Sequence, residues 1–93
     1  MLGEKIRILR ESKGLLQREV AAKLSVDTAY ISKMENNDKP VSRIHLKKLS
    51  TIFGIAEKEL LPFWVAEKVK KAIKNENCGK EAIEMVLKEL TNG

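Results

Sequence analysis

The sequence has little cysteine, few aromatic residues and no long apolar run. Cys78 is the only cysteine, so no internal disulfide can form, and a reducing, cytoplasmic setting is expected. No apolar run approaches the length of a membrane-spanning helix, and the N-terminus has no signal-peptide core. These shortages argue against a disulfide-stapled secreted protein and against a membrane partner.

Residues that carry metal or covalent chemistry are equally scarce. His45 has no second histidine, cysteine or carboxylate at metal-ligand spacing, so a helix-surface or capping role is expected. Cys78 has no companion that would mark a nucleophile, and we place it in a loop between helices. No glycine-rich phosphate loop and no acid and base pair can be assembled. The sequence therefore predicts no enzymatic activity and no metal, cofactor or small-molecule ligand.

Positive charge is what the chain has in excess. Its 93 residues include 18 Lys and Arg against 13 Asp and Glu. Most of this surplus lies in residues 1–61, where 12 basic residues oppose 8 acidic ones, whereas residues 62–93 carry 6 against 5. A basic surplus attracts polyanions at long range without carrying sequence information. It favours a nucleic acid as the partner.

Apolar residues recur with helical spacing along almost the whole chain, which predicts an all-α protein. The spacing indicates helices over about residues 3–13, 17–24, 28–36, 43–53 and 56–61. Asp27 and Ser42 can cap the third and fourth helices with their side-chain oxygens. Gly14, Asn37 and Gly54 suit the ends of the first, third and fourth helices.

Residues 17–34 carry the most informative pattern, two short helices separated by one tight turn. One apolar stripe runs through both helices and predicts a shared core, formed by Val20, Ala21, Leu24, Ile31 and Met34. The outward positions of the second helix are Thr28, Ala29, Tyr30, Ser32 and Lys33. A helix that reads base edges in the DNA major groove presents a short polar set of this kind. The pattern predicts a helix-turn-helix.

Residues 2–61 as a whole resemble the lambda-repressor-like domains of the Cro/CI (Xre) type. The resemblance rests on GLLQREVAAKLSVDTAYISKMEN, followed by a proline-containing loop and HLKKLSTIFGI. It implies a five-helix domain in which the helix from Gln17 lies over the DNA backbone and the helix from Thr28 enters the major groove. It also implies a sequence-specific transcriptional regulator that binds double-stranded DNA as a homodimer on an inverted-repeat operator.

Individual roles follow from the positions that match the family. Base-edge contacts are implied for Thr28, Ala29, Tyr30 and Lys33, with the sugar-phosphate wall as the alternative place for the Tyr30 ring. Ser32, on the same outward face, is also assigned to DNA binding. Phosphate contacts are implied for Gln17, Asn36, Asn37, Lys39 and Arg43. The resemblance further implies a partly buried ion pair between the first and third helices, formed here by Arg10 and Glu35.

Two positions depart from the family pattern. Leu16 stands where a serine or threonine usually caps the second helix, so we expect a weaker helix start, at a cost of about 1 kcal/mol. Ser25 stands where the turn commonly has glycine, so a residue with a Cβ must adopt the backbone angles of the turn. Neither change forbids the fold.

Residues 62–93 lie outside the resemblance and are predicted to form a second unit, a hairpin of two helices. Pro62 suits a first helical position, and residues 75–79 break the helical pattern. The apolar stripes of the two helices are Phe63, Ala66, Val69, Ala72 and Ile73, then Ile83, Val86, Leu87 and Leu90. Neither helix is long enough to be stable alone, so both stripes need a partner. We expect the hairpin, with Trp64 and Ile8 as a shared seam, to form a homodimer.

Several biological roles remain open at this level. Small proteins of this type resemble phage repressors, restriction-modification controller proteins and antitoxins. In an antitoxin the C-terminal hairpin would bind the toxin. The fold can also serve as a protein-interaction module with little DNA binding. RNA is less favoured, because the stacking aromatics of single-strand readers are absent and only Tyr30 lies on the expected face.

Overall fold

The computed structural model describes residues 1–92, and within them the chain is helical with no strand. The all-α prediction is confirmed. The elements in chain order are α1 (Leu2–Ser12), α2 (Gln17–Leu24), α3 (Thr28–Glu35), α4 (Arg43–Phe53), a 3-10 turn (Glu57–Glu59), α5 (Leu61–Ile73) and α6 (Gly79–Asn92). Gly93, the last residue of the predicted second unit, lies outside the described residues.

The first four helices end in the same way. Each is followed by a residue in the left-handed conformation, and these residues are Gly14 (φ 67°), Ser25 (φ 58°), Asn37 (φ 61°) and Gly54 (φ 66°). In each case the next amide N–H donates to a carbonyl oxygen five residues earlier, as Val26 does to Ala21 at 3.0 Å and Asp38 does to Lys33 at 2.8 Å. Ser25 therefore adopts the strained turn conformation expected of it.

The side chain of the residue before α3, and of the residue before α4, caps the start of that helix. Asp27 Oδ1 accepts the backbone N–H of Tyr30 at 2.8 Å, and Ser42 Oγ accepts that of His45 at 3.1 Å. Leu16 has no oxygen with which to cap α2. The carboxylate of Glu19 instead accepts the backbone N–H of Leu16 at 2.9 Å, which is one half of a capping box.

Side chains from all of the first four helices form a single core, and Leu60, the residue after the 3-10 turn, completes it. The buried apolar side chains are Leu2, Ile6, Val20, Ala21, Leu24, Ile31, Met34, Val41, Leu46, Leu49, Phe53 and Leu60. The start of α1 approaches the end of α3 closely, since a Cβ added to Gly3 would lie 2.5 Å from the carbonyl oxygen of Glu35. Gly3 N–H also donates to Asn37 Oδ1 at 3.0 Å.

The region around residue 61 differs from the prediction. The helix expected over residues 56–61 is a single 3-10 turn, and α5 begins at Leu61 with proline in its first turn. The indole N–H of Trp64 donates to the carbonyl oxygen of Val41 at 2.6 Å, and Glu67 Oε1 accepts the N–H of Leu2 at 3.3 Å. These two contacts, Trp64 with Val41 and Glu67 with Leu2, pack α5 on the core of the same chain. The division of the chain at residue 61 stays a prediction, as does the seam at Trp64 and Ile8.

The last helix, α6, leaves the body of the protein with its apolar stripe uncovered. Its first residue, Gly79, is buried, and a Cβ there would lie 3.1 Å from the side chain of Ile73. Farther along, Leu87 is 57% exposed and Leu90 is 75% exposed. Cys78 lies exposed in the turn before α6. The α6 stripe therefore finds little cover within one copy of the chain.

Candidate nucleic-acid interface

One face of α3 is held by the core and the other is open. Ile31, Met34 and Glu35 are buried on the inner side. Of the outward positions predicted to read bases, Thr28, Ala29 and Lys33 are exposed, and Tyr30 and Ser32 are half-buried. The structure thus brings the predicted reading residues onto one surface and anchors them on a rigid helix.

Tyr30 is held between two residues that follow α3. The Nζ atom of Lys39 lies 4.7 Å from the centre of the Tyr30 ring, and the ring of His45 meets it edge-on at 5.6 Å. His45 Nδ1 is buried without a hydrogen-bond partner in the described structure. The place of His45 in this cluster was missed, because no local pattern links it to a residue fifteen positions earlier. Its position in the first turn of α4 was the one available signal.

The predicted phosphate contacts divide into free and engaged side chains. Asn36 and Lys39 are exposed around the end of α3, and the Lys39 ammonium lies over the Tyr30 ring. Asn37 is exposed, but its Oδ1 accepts the N–H of Gly3. The side chain of Arg43 is 53% exposed, and its Nε donates to Glu57 Oε1 at 2.7 Å. The Gln17 side chain faces inward, toward Glu35.

Arg10 and Glu35 form the central polar contact between α1 and α3. Arg10 Nε lies 2.7 Å from Glu35 Oε2, and the two side chains are 11% and 3% exposed. Glu35 Oε1 also accepts the side-chain amide N–H of Gln17 at 3.1 Å. The hydrogen bond to Glu35 raises the pKa of Arg10 above its ordinary value, against the opposing effect of burial. The Gln17 side chain is therefore engaged, although the first backbone amides of α2 have no intrahelical partner.

Residues 1–92 contain no cluster of three His, Cys, Asp or Glu side chains that could hold a metal ion. No helix within the same residues is long and apolar enough to cross a membrane.

Known proteins resemble this chain over the helix-turn-helix region. Residues 6–60 match the helix-turn-helix family HTH_3. The control protein C.MunI of a Mycoplasma species is 39% identical over 59 residues, which cover 62% of this chain and 80% of that protein. The control protein C.BamHI of Bacillus amyloliquefaciens is 33% identical over 64 residues, which cover 68% of this chain and 79% of that protein.

A third relative is much longer. The propionyl-CoA carboxylase regulator of Cereibacter sphaeroides is 40% identical over 53 residues, and the match spans 57% of this chain but 12% of that regulator. No solved structure matches the chain. The family match and the two control proteins agree with the geometry of α2 and α3. The chain belongs to the Cro/CI-type helix-turn-helix family of DNA-binding transcriptional regulators.

Proposed function

We propose that the chain binds double-stranded DNA sequence-specifically, with α3 in the major groove, and controls transcription as a homodimer on an inverted repeat. The open face of α3 is the observation that carries this proposal. Thr28, Ala29 and Lys33 project from a helix whose opposite side is locked into the core. Bases are read by side chains held in this way, because a rigid helix fixes their register in the groove.

Each outward residue of α3 has chemistry suited to base edges or to the backbone beside them. Lys33 can donate to O6 and N7 of guanine, Thr28 can serve either type of base, and the methyl group of Ala29 can touch a thymine methyl. Tyr30 is restrained by Lys39 and His45, which favours contact of its ring with the sugar-phosphate wall. We assign Lys39 to phosphate together with Asn36, Asn37, Arg43 and the first amides of α2 at Gln17.

Selection from a random duplex library tests the proposal most directly. We expect a palindrome, whose half-site and spacing would give the operator. Lys33→Ala should change the preferred bases, whereas Lys39→Ala should weaken binding to all sequences alike and lower the salt dependence. Recovery of no preferred sequence, with both variants behaving as wild type, would contradict the proposal.

The homodimer is proposed from the uncovered stripe on α6. Ile83, Val86, Leu87 and Leu90 are all exposed, and Val65 and Val69 are exposed on the outer side of α5. Burying a side chain of this size contributes about 1.5–3 kcal/mol. A second copy of the chain can supply the matching face, since a two-fold axis pairs each stripe with its equivalent.

Sedimentation of three proteins tests the dimer. These are the full chain, a chain that ends at Asn75, and Leu87→Ser/Leu90→Ser. The cut at Asn75 keeps α5 packed on the core, which a cut at Leu61 would not do. We expect a dimer for the full chain and monomers for the other two proteins. A dimer in all three would place the interface elsewhere.

Two control proteins share most of their length with this chain, which supports a role as a transcriptional control protein. A reporter gene placed behind the recovered operator would show whether the chain activates or represses. Such a regulator works beside DNA, so we propose a cytoplasmic location. The exposed α6 stripe also supports a second candidate function, that of an antitoxin or interaction module that binds a different protein through α6. A monomeric full chain with little binding to duplex DNA, and with neither salt dependence nor a preferred sequence, would favour the interaction module.

A further inference from the structure

An open groove borders the loop after α3 and is rich in lysine. It runs between the start of α1, this loop and the second half of α5. Lysines line it on both sides: Lys39 from the loop, and Lys68, Lys70, Lys71 and Lys74 from α5. The two carboxylates in its lining are Asp38 and Glu67. The DNA contacts implied by the family resemblance did not include any residue of α5.

The order of residues along α5 explains why its lysines line the same groove as the loop. Glu67, Lys71 and Lys74 follow one another at i, i+4 and i+7, so they share one face of the helix. Glu67 is fixed at the start of α1, where its carboxylate lies 3.6 Å from the amino group of Met1 and accepts the N–H of Leu2. The face of α5 that contacts the start of α1 through Glu67 therefore carries lysines one and two turns later.

Positive charge in the groove exceeds negative charge, since five lysines line it with only two carboxylates. Glu67 is already paired with the N-terminus. In the described residues 1–92, no carboxylate oxygen lies within 4.0 Å of the ammonium groups of Lys70, Lys71 or Lys74. Lysines that line one groove repel one another, and a polyanion relieves that repulsion.

We infer that Lys71 and Lys74 bind phosphates of the DNA strand that leaves Lys39, outside the segment read by α3. The inference rests on the proposed DNA binding. Asn37 and Lys39 line the same groove as the α5 lysines, so a strand held at the loop has phosphates within the same charged surface. These contacts carry no base information. Their effect is to lengthen the footprint and to strengthen binding to any duplex.

Salt dependence measures the number of such contacts. Each phosphate neutralised adds about 0.9 to the slope of log affinity against log salt. Loss of Lys71 and Lys74 should therefore lower the slope by roughly 1.8 for each subunit bound, so that raising salt from about 50 to about 200 mM weakens the variant about tenfold less than wild type per subunit.

The test compares Lys71→Ala/Lys74→Ala with Lys80→Ala/Lys88→Ala, which removes two exposed lysines from α6. Affinity is measured against salt on a mixed-sequence duplex and on the same duplex lengthened by one helical turn, with Lys39→Ala alongside and sedimentation of every protein. We expect the α5 variant to lose slope and to lose the gain from the longer duplex, whereas the α6 variant keeps both.

The outcomes separate this inference from the function on which it rests. If Lys39→Ala lowers the slope and the α5 variant does not, the α5 contact is wrong and DNA binding by the helix-turn-helix stands. If the α5 variant loses its dimer and keeps the slope, the groove holds a second copy of the chain and the inference is overturned. If wild type binds no duplex, the proposed function fails as well.

Discussion

Arg10 and Glu35 meet in a two-pronged contact, with Arg10 Nε 2.7 Å from Glu35 Oε2 and Nη2 3.1 Å from Oε1. The remaining Arg10 nitrogen, Nη1, donates to the carbonyl oxygen of Leu15 at 2.8 Å, and Gln17 donates to Glu35 from the other side. One nearly buried cluster of hydrogen bonds thus joins α1, the loop after it, α2 and α3. The helix that we propose to read DNA is therefore positioned by a charge pair as well as by apolar packing.

Removal of one partner of this pair should be far more harmful than replacement of both. We expect Glu35→Ala to lower the free energy of unfolding by about 3 kcal/mol, because it leaves the Arg10 guanidinium buried and unpaired. Arg10→Met/Glu35→Leu should lose less than half as much, since no charge stays buried. Urea unfolding measures both values. Equal losses in the two variants would contradict this account of the pair.

Two residues with positive φ should respond oppositely to glycine. Ser25→Gly should raise the free energy of unfolding by about 0.5–1 kcal/mol, because glycine adopts φ 58° without the Cβ strain of serine. Asn37→Gly should lower it, because Asn37 Oδ1 accepts the N–H of Gly3 and asparagine tolerates this conformation. Thermal unfolding of the two variants checks the contrast. A stabilising effect of both would show that the Asn37 bond is weak.

The close approach of α1 to α3 should not tolerate a methyl group. A Cβ at position 3 would lie 2.5 Å from the carbonyl oxygen of Glu35 and 2.6 Å from that of Met34. We expect Gly3→Ala to cost about 2 kcal/mol, because backbone atoms cannot move aside cheaply. Gly79→Ala is the matched control, since its Cβ would lie 3.1 Å from a side-chain atom of Ile73. Chemical denaturation should show a clearly smaller loss for the control.

Trp64 should tie α5 to the domain through one hydrogen bond and its packing. Trp64→Phe removes the donor to the Val41 carbonyl oxygen and should cost about 1–3 kcal/mol, because that oxygen is left without its partner. A chain that ends at Leu61 should lose more than one that ends at Asn75. Urea unfolding of all three proteins tests this. Equal stability of the two shortened chains would mean that α5 is an independent unit.

The ring of Tyr30 should matter more than its hydroxyl group. Tyr30→Phe keeps the face under Lys39 and the edge contact with His45, so its DNA affinity should stay within about twofold of wild type. Tyr30→Ala releases Lys39 from the ring and should weaken binding by up to about fivefold, because the restraint lost is worth at most about 0.5–1 kcal/mol. Fluorescence anisotropy on one operator duplex measures both. A large effect of Tyr30→Phe would point to a direct role for the hydroxyl group.

Prediction from sequence worked where the signal was local. The extent of α2, the caps at Asp27 and Ser42, and the left-handed residues Asn37 and Gly54 follow from side chains within a few positions of each helix end. The helix-turn-helix itself followed from one apolar stripe. Prediction from sequence was less successful at residues 56–61, where the expected helix is one 3-10 turn and the following helix joins the core.

The sequence by itself determined the helices, the inner and outer faces of α3 and the family to which the chain belongs, because apolar spacing and helix capping act over a few residues. Tertiary structure alone decided that Gln17 turns toward Glu35, that His45 meets Tyr30, and that the lysines of α5 line one groove with the loop after α3. Each of these contacts joins residues distant in sequence. Their geometry is set by how whole helices pack, which no local pattern encodes.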